Sequence, residues 1–433
     1  MFLDLTADDL IFAALRLSEK GRVAVLDSCG IRNLGSRSLI VGIEPVEVLE
    51  FSGAADDIPE KIEKAVSSSG LAAIVTLSYD LGQNLVMPPG RSTGNADTDE
   101  PQAYAALFDS LIVHDYVTGK TRIRGSTANA NDTVKLLIEN AAPIGVPEPP
   151  SAGASSNFSR KEYIDAILEI QEEIRKGNTY QTNLTQQFSL RLPKGTTARD
   201  VFLRLRRDHP APFAAFVARG HSNVVSVSPE RLVKVEERQV SASPIKGTRP
   251  RGKNAEDDMR LRNELLSSAK DRAENTMIVD LLRNDLGRIC EFGSVHVEKL
   301  CDLEVHPTLF HLVSTITGTL RTEIGLAGLV RAVFPCGSIT GAPKRSTMSI
   351  IDRIEPDPRG LSMGSIGIIV PKGFDDLSPM IDLNVAIRTM VEKNGNVTFN
   401  VGGGIVIDSV PELEYDESLL KAKALLAALG VRT

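Results

Sequence analysis

The chain has 433 residues, too many for one small core, and its 42% hydrophobic and 24% charged content is ordinary for a globular protein of two or three domains or one large layered domain. Its formal net charge of −7 gives no global attraction to nucleic acid, so an anionic ligand needs local cations or a metal. Four cysteines (Cys29, Cys290, Cys301, Cys336) lack CxxC spacing, show no disulfide or zinc framework, and fit a reducing cytosol.

From Met1 to Asp9 the chain carries acids where a signal peptide carries basic residues. No run approaches ~18 uninterrupted apolar residues, so no membrane span is expected. Residues 1–140 read as mixed short strands and helices, with buried strands predicted at 23–26 and 71–77. Crowded Pro, Gly, Ser, Asn and Asp predict a surface loop at 87–101, and Pro, Ala, Ser and Gly at 142–156 predict a linker. Ser159 with Glu162 forms a capping box; Tyr163, Ile167, Ile170 and Ile174 make the stripe of the helix it opens, and Gly177 its stop. Alternating runs at 185–192, 214–218 and 223–227 read as strands. Strands and helices mix without a regular βαβ period and with no internal repeat, which favours α+β over a doubly wound sheet.

Stretch 241–252 sets Lys246 among Pro244, Gly247, Pro250 and Gly252, after an alternating apolar segment. These residues predict a turning loop. Lys246 is then either a solvated loop cation, the favoured reading of the stretch alone, or an amine held in a site. A helix at 268–286 has Ile278, Leu281 and Leu282 on its buried stripe, and Asp271 and Glu274 lie on that same face. Such acids either complement the helix dipole or, if buried, need a metal or acid–base partner.

Ser409 and Glu412 read as a second capping box, opening a helix at 410–429 with Gly430 beyond it; Glu414, Glu417 and Lys421 share one face. Two i, i+3 acid pairs suit a hard cation such as Mg2+, whereas Glu417 and Lys421 alone read as a surface salt bridge. Three glycines at 402–404 interrupt a strand-like run without GxGxxG spacing, which means either close approach of a ligand or a bulge. The run 338–344 opens a helix whose free N–H groups suit a carboxylate. Arg388 interrupts an apolar strand; a structural salt bridge is its favoured reading alone, carboxylate capture the other.

Together these pieces resemble the chorismate-utilising enzymes, which include the first components of anthranilate and aminodeoxychorismate synthases and the isochorismate and salicylate synthases. The resemblance runs from about Asn157 to the C-terminus. It rests on SPERL (228–232), PIKGTRPRG (244–252), DRAENTMIVDLLRNDLGR (271–288), HLVSTITG (311–318), GSITGAPK (337–344), AIRT (386–389) and GGGIVIDSVPELEYDESLLKA (402–422). Residues 1–145 are similar, weakly, to the N-terminal region of anthranilate synthase component I; 157–433 resembles the catalytic domain. The resemblance implies an α+β layered sandwich of large antiparallel sheets with helices outside.

It also implies chemistry. Anthranilate synthases generally read PIAGT where aminodeoxychorismate synthases read PIKGT, so Lys246 implies amination of chorismate to 4-amino-4-deoxychorismate, for p-aminobenzoate and folate synthesis. Lys246 is the implied nucleophile at C2 and Glu230 the acid on the C4 hydroxyl. An amine nucleophile must be neutral, and a general acid must stay protonated, as burial promotes. Glu274 and Glu417 imply Mg2+ binding, with Asp271 and Glu414 as the outer pair. Thr248, His311, Gly341, Arg388, Gly402 and Lys421 imply substrate contacts. Ser28, Ser36, Arg37 and Ser38 match a region where relatives bind tryptophan. Ser362 stands where the family often has an aromatic residue, which implies altered substrate grip. No segment resembles a glutamine amidotransferase, so a partner subunit supplying ammonia is implied, in the cytoplasm.

Overall fold

A computed structural model describes residues 1–31, 37–53, 56–87, 100–305, 309–374 and 380–431. Its frame is two antiparallel sheets, one of twelve and one of ten strands among the described residues. In the larger, Phe2–Leu3, Lys120–Gly125, Ser110–Asp115, Ser38–Ile43 and Val23–Asp27 are followed by Phe213–Ala218, Asn223–Ser228, Thr389–Lys393, Asn396–Ile405, Gln181–Arg191 and Gly341–Ala342. The smaller runs Ile245–Pro250, Leu309–Thr319, Gln239–Ser243, Arg231–Glu236, Met380–Asn384, Ser365–Val370, Ala72–Leu77, Ala103–Phe108 and Glu47–Phe51. Strands from before and after residue 150 thus share both sheets.

The sheets face each other across an apolar layer. Ala24, Ala215, Val217 and Val224 come from one side, and Ile74, Tyr104, Ala106, Ile366 and Ile368 from the other. Helices Ala7–Leu17, Ala198–Asp208 and Pro411–Ala428 cover the outer face of the larger sheet; Ile58–Ser69, Ala269–Gly287 and Leu326–Val333 cover the smaller. Because both sheet faces are covered, central strands such as Ala72–Leu77 are buried at every position and read as near-continuous apolar runs, broken here only by Thr76. The architecture is the layered α+β sandwich expected.

Local signals hold where the chain is locally determined. Ser159 and Glu162 form the reciprocal cap of Arg160–Arg175, and Gly177 sits beyond its end at φ +78°. The 268–286 expectation corresponds to Ala269–Gly287, capped by Ser268. Segment 142–154 has neither helix nor strand and is pinned: Arg204 donates twice to the Pro147 carbonyl, at 3.1 and 2.7 Å, and Ala152 bridges Val431. Most of the loop expected at 87–101 lies outside the described residues.

The second capping box is corrected. Val410 is the N-cap of Pro411–Ala428 and no side chain caps it. The Ser409 hydroxyl instead donates to Glu414 Oε1 at 2.7 Å, because Glu414 is buried and needs a donor.

Candidate active site

Lys246 lies on a strand, not in a loop. Ile245–Pro250 pairs with Leu309–Thr319, and the register slips between Lys246 and Thr248. Gly247 makes the slip at φ +82°, where a Cβ would also meet Asp271 Cβ and Leu265 Cδ1 at 2.9 Å. Prolines and glycine that read as turn residues are here a strand terminus and a bulge, paired with a segment over 60 residues away. A bulge re-aims side chains. The half-buried Lys246 directs Nζ to the Ser338 carbonyl at 3.4 Å.

Glu230 follows Asn223–Ser228, its backbone fixed by the Val385 N–H at 3.0 Å. Its side chain is buried, and Oε1 has no partner among the described residues. Burial lifts its carboxyl to about 7; the Ser338 hydroxyl and the Lys246 charge pull the other way and only partly offset it. A carboxylic acid half protonated at neutrality, under the electrostatic reach of an amine, is equipped to deliver a proton.

The carboxylates come from two helices. Asp271 and Glu274 stand early on Ala269–Gly287, and Glu414 and Glu417 early on Pro411–Ala428. Lys270 Nζ lies between the pairs, 3.9 Å from Glu274 and 3.6 Å from Glu414. Glu417 pairs with Lys421 at 2.7 Å, while Asp271 is drawn aside to Arg249 at 3.2 Å. Burial raises the Glu274 carboxyl against the pull of Lys246 and Lys270, helped by the charges of Asp271 and Glu414. Burial also acts on Glu417, but Lys421, Lys270 and Lys246 outweigh it and hold that carboxyl down.

Among the described residues no three acidic, histidine or cysteine side chains gather into a finished metal cage. The donor set still fits Mg2+, which takes hard oxygens and keeps several waters on one or two carboxylates. Lys270 supplies between Glu274 and Glu414 the positive charge that a divalent ion would supply.

Glycines 402–404 sit in a strand, Asn396–Ile405, whose register against Gln181–Arg191 is unbroken, so the bulge reading falls. A Cβ on Gly402 would stand 1.8 Å from the Leu184 carbonyl; one on Gly403 would approach Glu414, Lys421 and Glu417 at 3.5 to 3.8 Å. The Gly402 carbonyl accepts from Lys421 at 2.9 Å. Thr248 and His311, register partners, hydrogen-bond through Oγ1 and Nδ1 at 2.9 Å.

Arg388 occupies a bend between strands, not a strand, at φ +49°, and its carbonyl accepts from Val227 at 3.1 Å, beside the Glu230 segment. Its guanidinium has no carboxylate or other partner among the described residues, so the salt-bridge reading falls. Burial lowers its pKa, the signature of a cation without a counter-charge. Gly341 is also corrected. It lies in the short strand Gly341–Ala342 at φ +144°, and the helix begins only at Lys344. Pro343 caps that helix without a side-chain acceptor, and pairing with Gln181–Thr182 has already claimed the residues before it.

Ser28 and Ser38 meet through a backbone bond of 3.1 Å, and the Ser28 hydroxyl is buried with no partner among the described residues; Arg37 is exposed, and Ser36 lies outside the described residues. The Ser362 hydroxyl is spent on backbone, donating to Thr389 at 3.1 Å and accepting from Asn400 at 3.0 Å. Sequence reasoning missed Lys270, Ser338 and Gln181. Lys270 falls inside the helix read at 268–286 and Ser338 in the run read as opening a helix, and nothing local marks any of the three as functional.

The chorismate binding enzyme family model matches residues 32–427. The chain belongs to this family. Aminodeoxychorismate synthase component 1 from Escherichia coli (strain K12) is 42% identical over 393 residues, 89% of this chain and 83% of that protein. Anthranilate synthase component 1 3 from Haloarcula marismortui is 35% identical over 425 residues, 90% of this chain and 82% of that one. Anthranilate synthase component I from Streptococcus pneumoniae TIGR4 superposes with a TM-score of 0.76 at 28% identity, covering 91% of this chain and 93% of that one. As a chorismate binding enzyme the chain is a chorismate-utilising enzyme, and no described helix is long and apolar enough to cross a membrane.

Proposed function

We propose that this chain is the synthase component that converts chorismate and ammonia into 4-amino-4-deoxychorismate, with ammonia from a separate glutamine amidotransferase subunit. The observation that carries this reading is an amine, Lys246, within electrostatic range of a buried half-protonated acid, Glu230, and of the carboxylates Glu274 and Glu417. The amine forms a bond to C2 as the two conjugated ring double bonds each shift one place toward C4 and the C4–O bond breaks. Glu230 gives its proton to the departing hydroxyl, which leaves as water, and regains one from the lysine nitrogen. Ammonia then forms the C4–N bond while the C2–Nζ bond breaks. A proton passes from the new ammonium to the released lysine.

Arg388, Lys421 and the backbone at Gly402 orient the substrate carboxylates. Mg2+ held by Glu274 and Glu417, with Glu414 and Asp271 behind them, would neutralise a carboxylate on the ring. That the relatives are named as first components supports a partner subunit.

Incubation of the protein with chorismate, Mg2+ and ammonium, followed by product separation, is expected to yield 4-amino-4-deoxychorismate. Fluorescent anthranilate without the 4-amino product would overturn the reading, and no turnover at all would make the chain a non-catalytic chorismate-binding protein.

A further inference from the structure

Arg359 and Glu355 form an ion pair just beyond the helix Lys344–Ile354, with side chains only 1% and 4% exposed. Such a pair carries a desolvation cost that well-packed apolar side chains avoid, so its other contacts have to account for it. The guanidinium donates to both Glu355 oxygens, at 2.8 and 2.7 Å, and at 2.7 Å to the carbonyls of Ile339 and Asn183. The Tyr79 ring covers it, 4.5 Å away. The Thr340 carbonyl in turn accepts from the Asn183 N–H at 2.8 Å. Arg359 therefore clasps the buried turn Gly337–Ile339 to the strand Gln181–Arg191. The turn relies on that clasp, because its own backbone bonds, Ile339 to Cys336 and Thr340 to Gly337, are 3.4 Å long.

Within the turn, Ser338 addresses both reacting groups. Its carbonyl accepts from Lys246 Nζ, and its hydroxyl acts on the Glu230 carboxyl. We infer that Arg359 is the positioning residue for this amine and acid: by fixing Ile339 it fixes where the neighbouring Ser338 presents its carbonyl and hydroxyl. The inference rests on the amination proposed above. A guanidinium suits the task because its planar fork of donors reaches two carbonyls and a carboxylate at once. An ammonium in its place keeps the charge and loses the fork.

Arg359→Lys and Arg359→Met in the full chain test the assignment, alone and combined with Ser338→Ala, with chorismate, Mg2+ and ammonium, after thermal unfolding shows each variant folded. Arg359→Lys keeps the charge beside Glu355, so it decides the matter where Arg359→Met does not fold. It is expected to lower kcat about ten- to a hundredfold, the scale of a misplacement of about 1 Å, with chorismate KM within about threefold. At fixed free ammonia it is also expected to move the high-pH decline of kcat upward, as loss of the Ser338 hydroxyl does. In the Ser338→Ala background it is expected to move that decline no further. The Cys336 thiol, which is coupled to Glu230 and pushed up to about 11 by burial, stays neutral near pH 7 and does not shape the decline. A role in stability alone lowers the unfolding temperature and leaves the decline where it is. A folded Arg359→Lys with the parent kcat and pH profile overturns the inference, as does a chorismate KM that rises as kcat falls, or a pH movement that adds in full to that of Ser338→Ala. Should anthranilate form instead of the 4-amino product, C4 amination fails as a reading. The same pH profiles, read on anthranilate, still decide the role of Arg359.

Discussion

Replacing Glu230 by Gln tests whether the site was built around a buried acid. Burial carries this carboxyl from 4.5 to about 7, so roughly half of it is protonated at neutrality, against about 0.3% for an ordinary glutamate. That shift corresponds to about 3 kcal/mol of unfavourable charge burial. Its consequence for stability has a definite sign. The folded state holds the proton longer than the unfolded one, so the carboxyl burdens the fold least below 4.5, and stability falls as pH rises through about 7. Glu230→Gln keeps the shape and removes that titration, so it is expected to unfold at higher temperature than the parent at pH 8 and at similar temperature at pH 4. Activity moves the other way, because an amide cannot donate the proton: kcat for 4-amino-4-deoxychorismate is expected to fall by about 10²- to 10⁴-fold. In the parent, kcat at a fixed concentration of free ammonia should decline above about pH 7, and Ser338→Ala should move that decline upward, since the Ser338 hydroxyl lowers the Glu230 pKa. A Gln variant keeping more than about a tenth of the parent kcat, or a parent profile flat through this range, refutes the reasoning.

Lys246→Ala is expected to slow 4-amino-4-deoxychorismate formation by at least about a hundredfold while chorismate binding by calorimetry stays measurable, and to release some anthranilate synthesis; full activity contradicts the nucleophile assignment. Arg388→Met removes a half-buried guanidinium that has no counter-charge among the described residues, so it is expected to raise the unfolding temperature while raising chorismate KM about ten- to a hundredfold, the worth of hydrogen bonds to a charged group. Ser362→Ala leaves the buried Asn400 N–H without its acceptor and is expected to cost about 1–3 kcal/mol in urea unfolding, with chorismate KM unchanged because that hydroxyl touches only backbone.

What could be read from the chain was what neighbours in sequence decide. The Ser159–Glu162 cap, its stripe and the Gly177 stop are local interactions, and the helix stands where they place it. The same rule failed at Ser409. There a buried Glu414, outside any capping pattern, competes for the hydroxyl, and only tertiary burial creates that demand. Stretch 245–250 was misread because its pairing partner is remote and its single bulge glycine looks like a turn. The triple glycine was ambiguous for a related reason: one needs to know that Leu184 presses on 402 and that acids face 403. The Gln181 amide, buried with no partner among the described residues, carried no signal at all, since a missing partner is visible only in three dimensions.

The arrangement also explains how a chain with net charge −7 can handle a dianion. Asp271 is neutralised by Arg249, and the remaining carboxylates of Glu274, Glu414 and Glu417 meet the ammoniums of Lys246, Lys270 and Lys421. Three charges oppose three, so the acidity of the chain resides elsewhere, and Arg388 adds a cation that nothing described opposes. The couplings carry a further consequence under the proposed reaction. The Lys246 charge lowers the pKa of Glu230, so whenever that amine is neutral and able to attack, Glu230 holds its proton more firmly. Nucleophile and acid are then available in the same microstate. Separating them by removing either charge should change the pH dependence of the other.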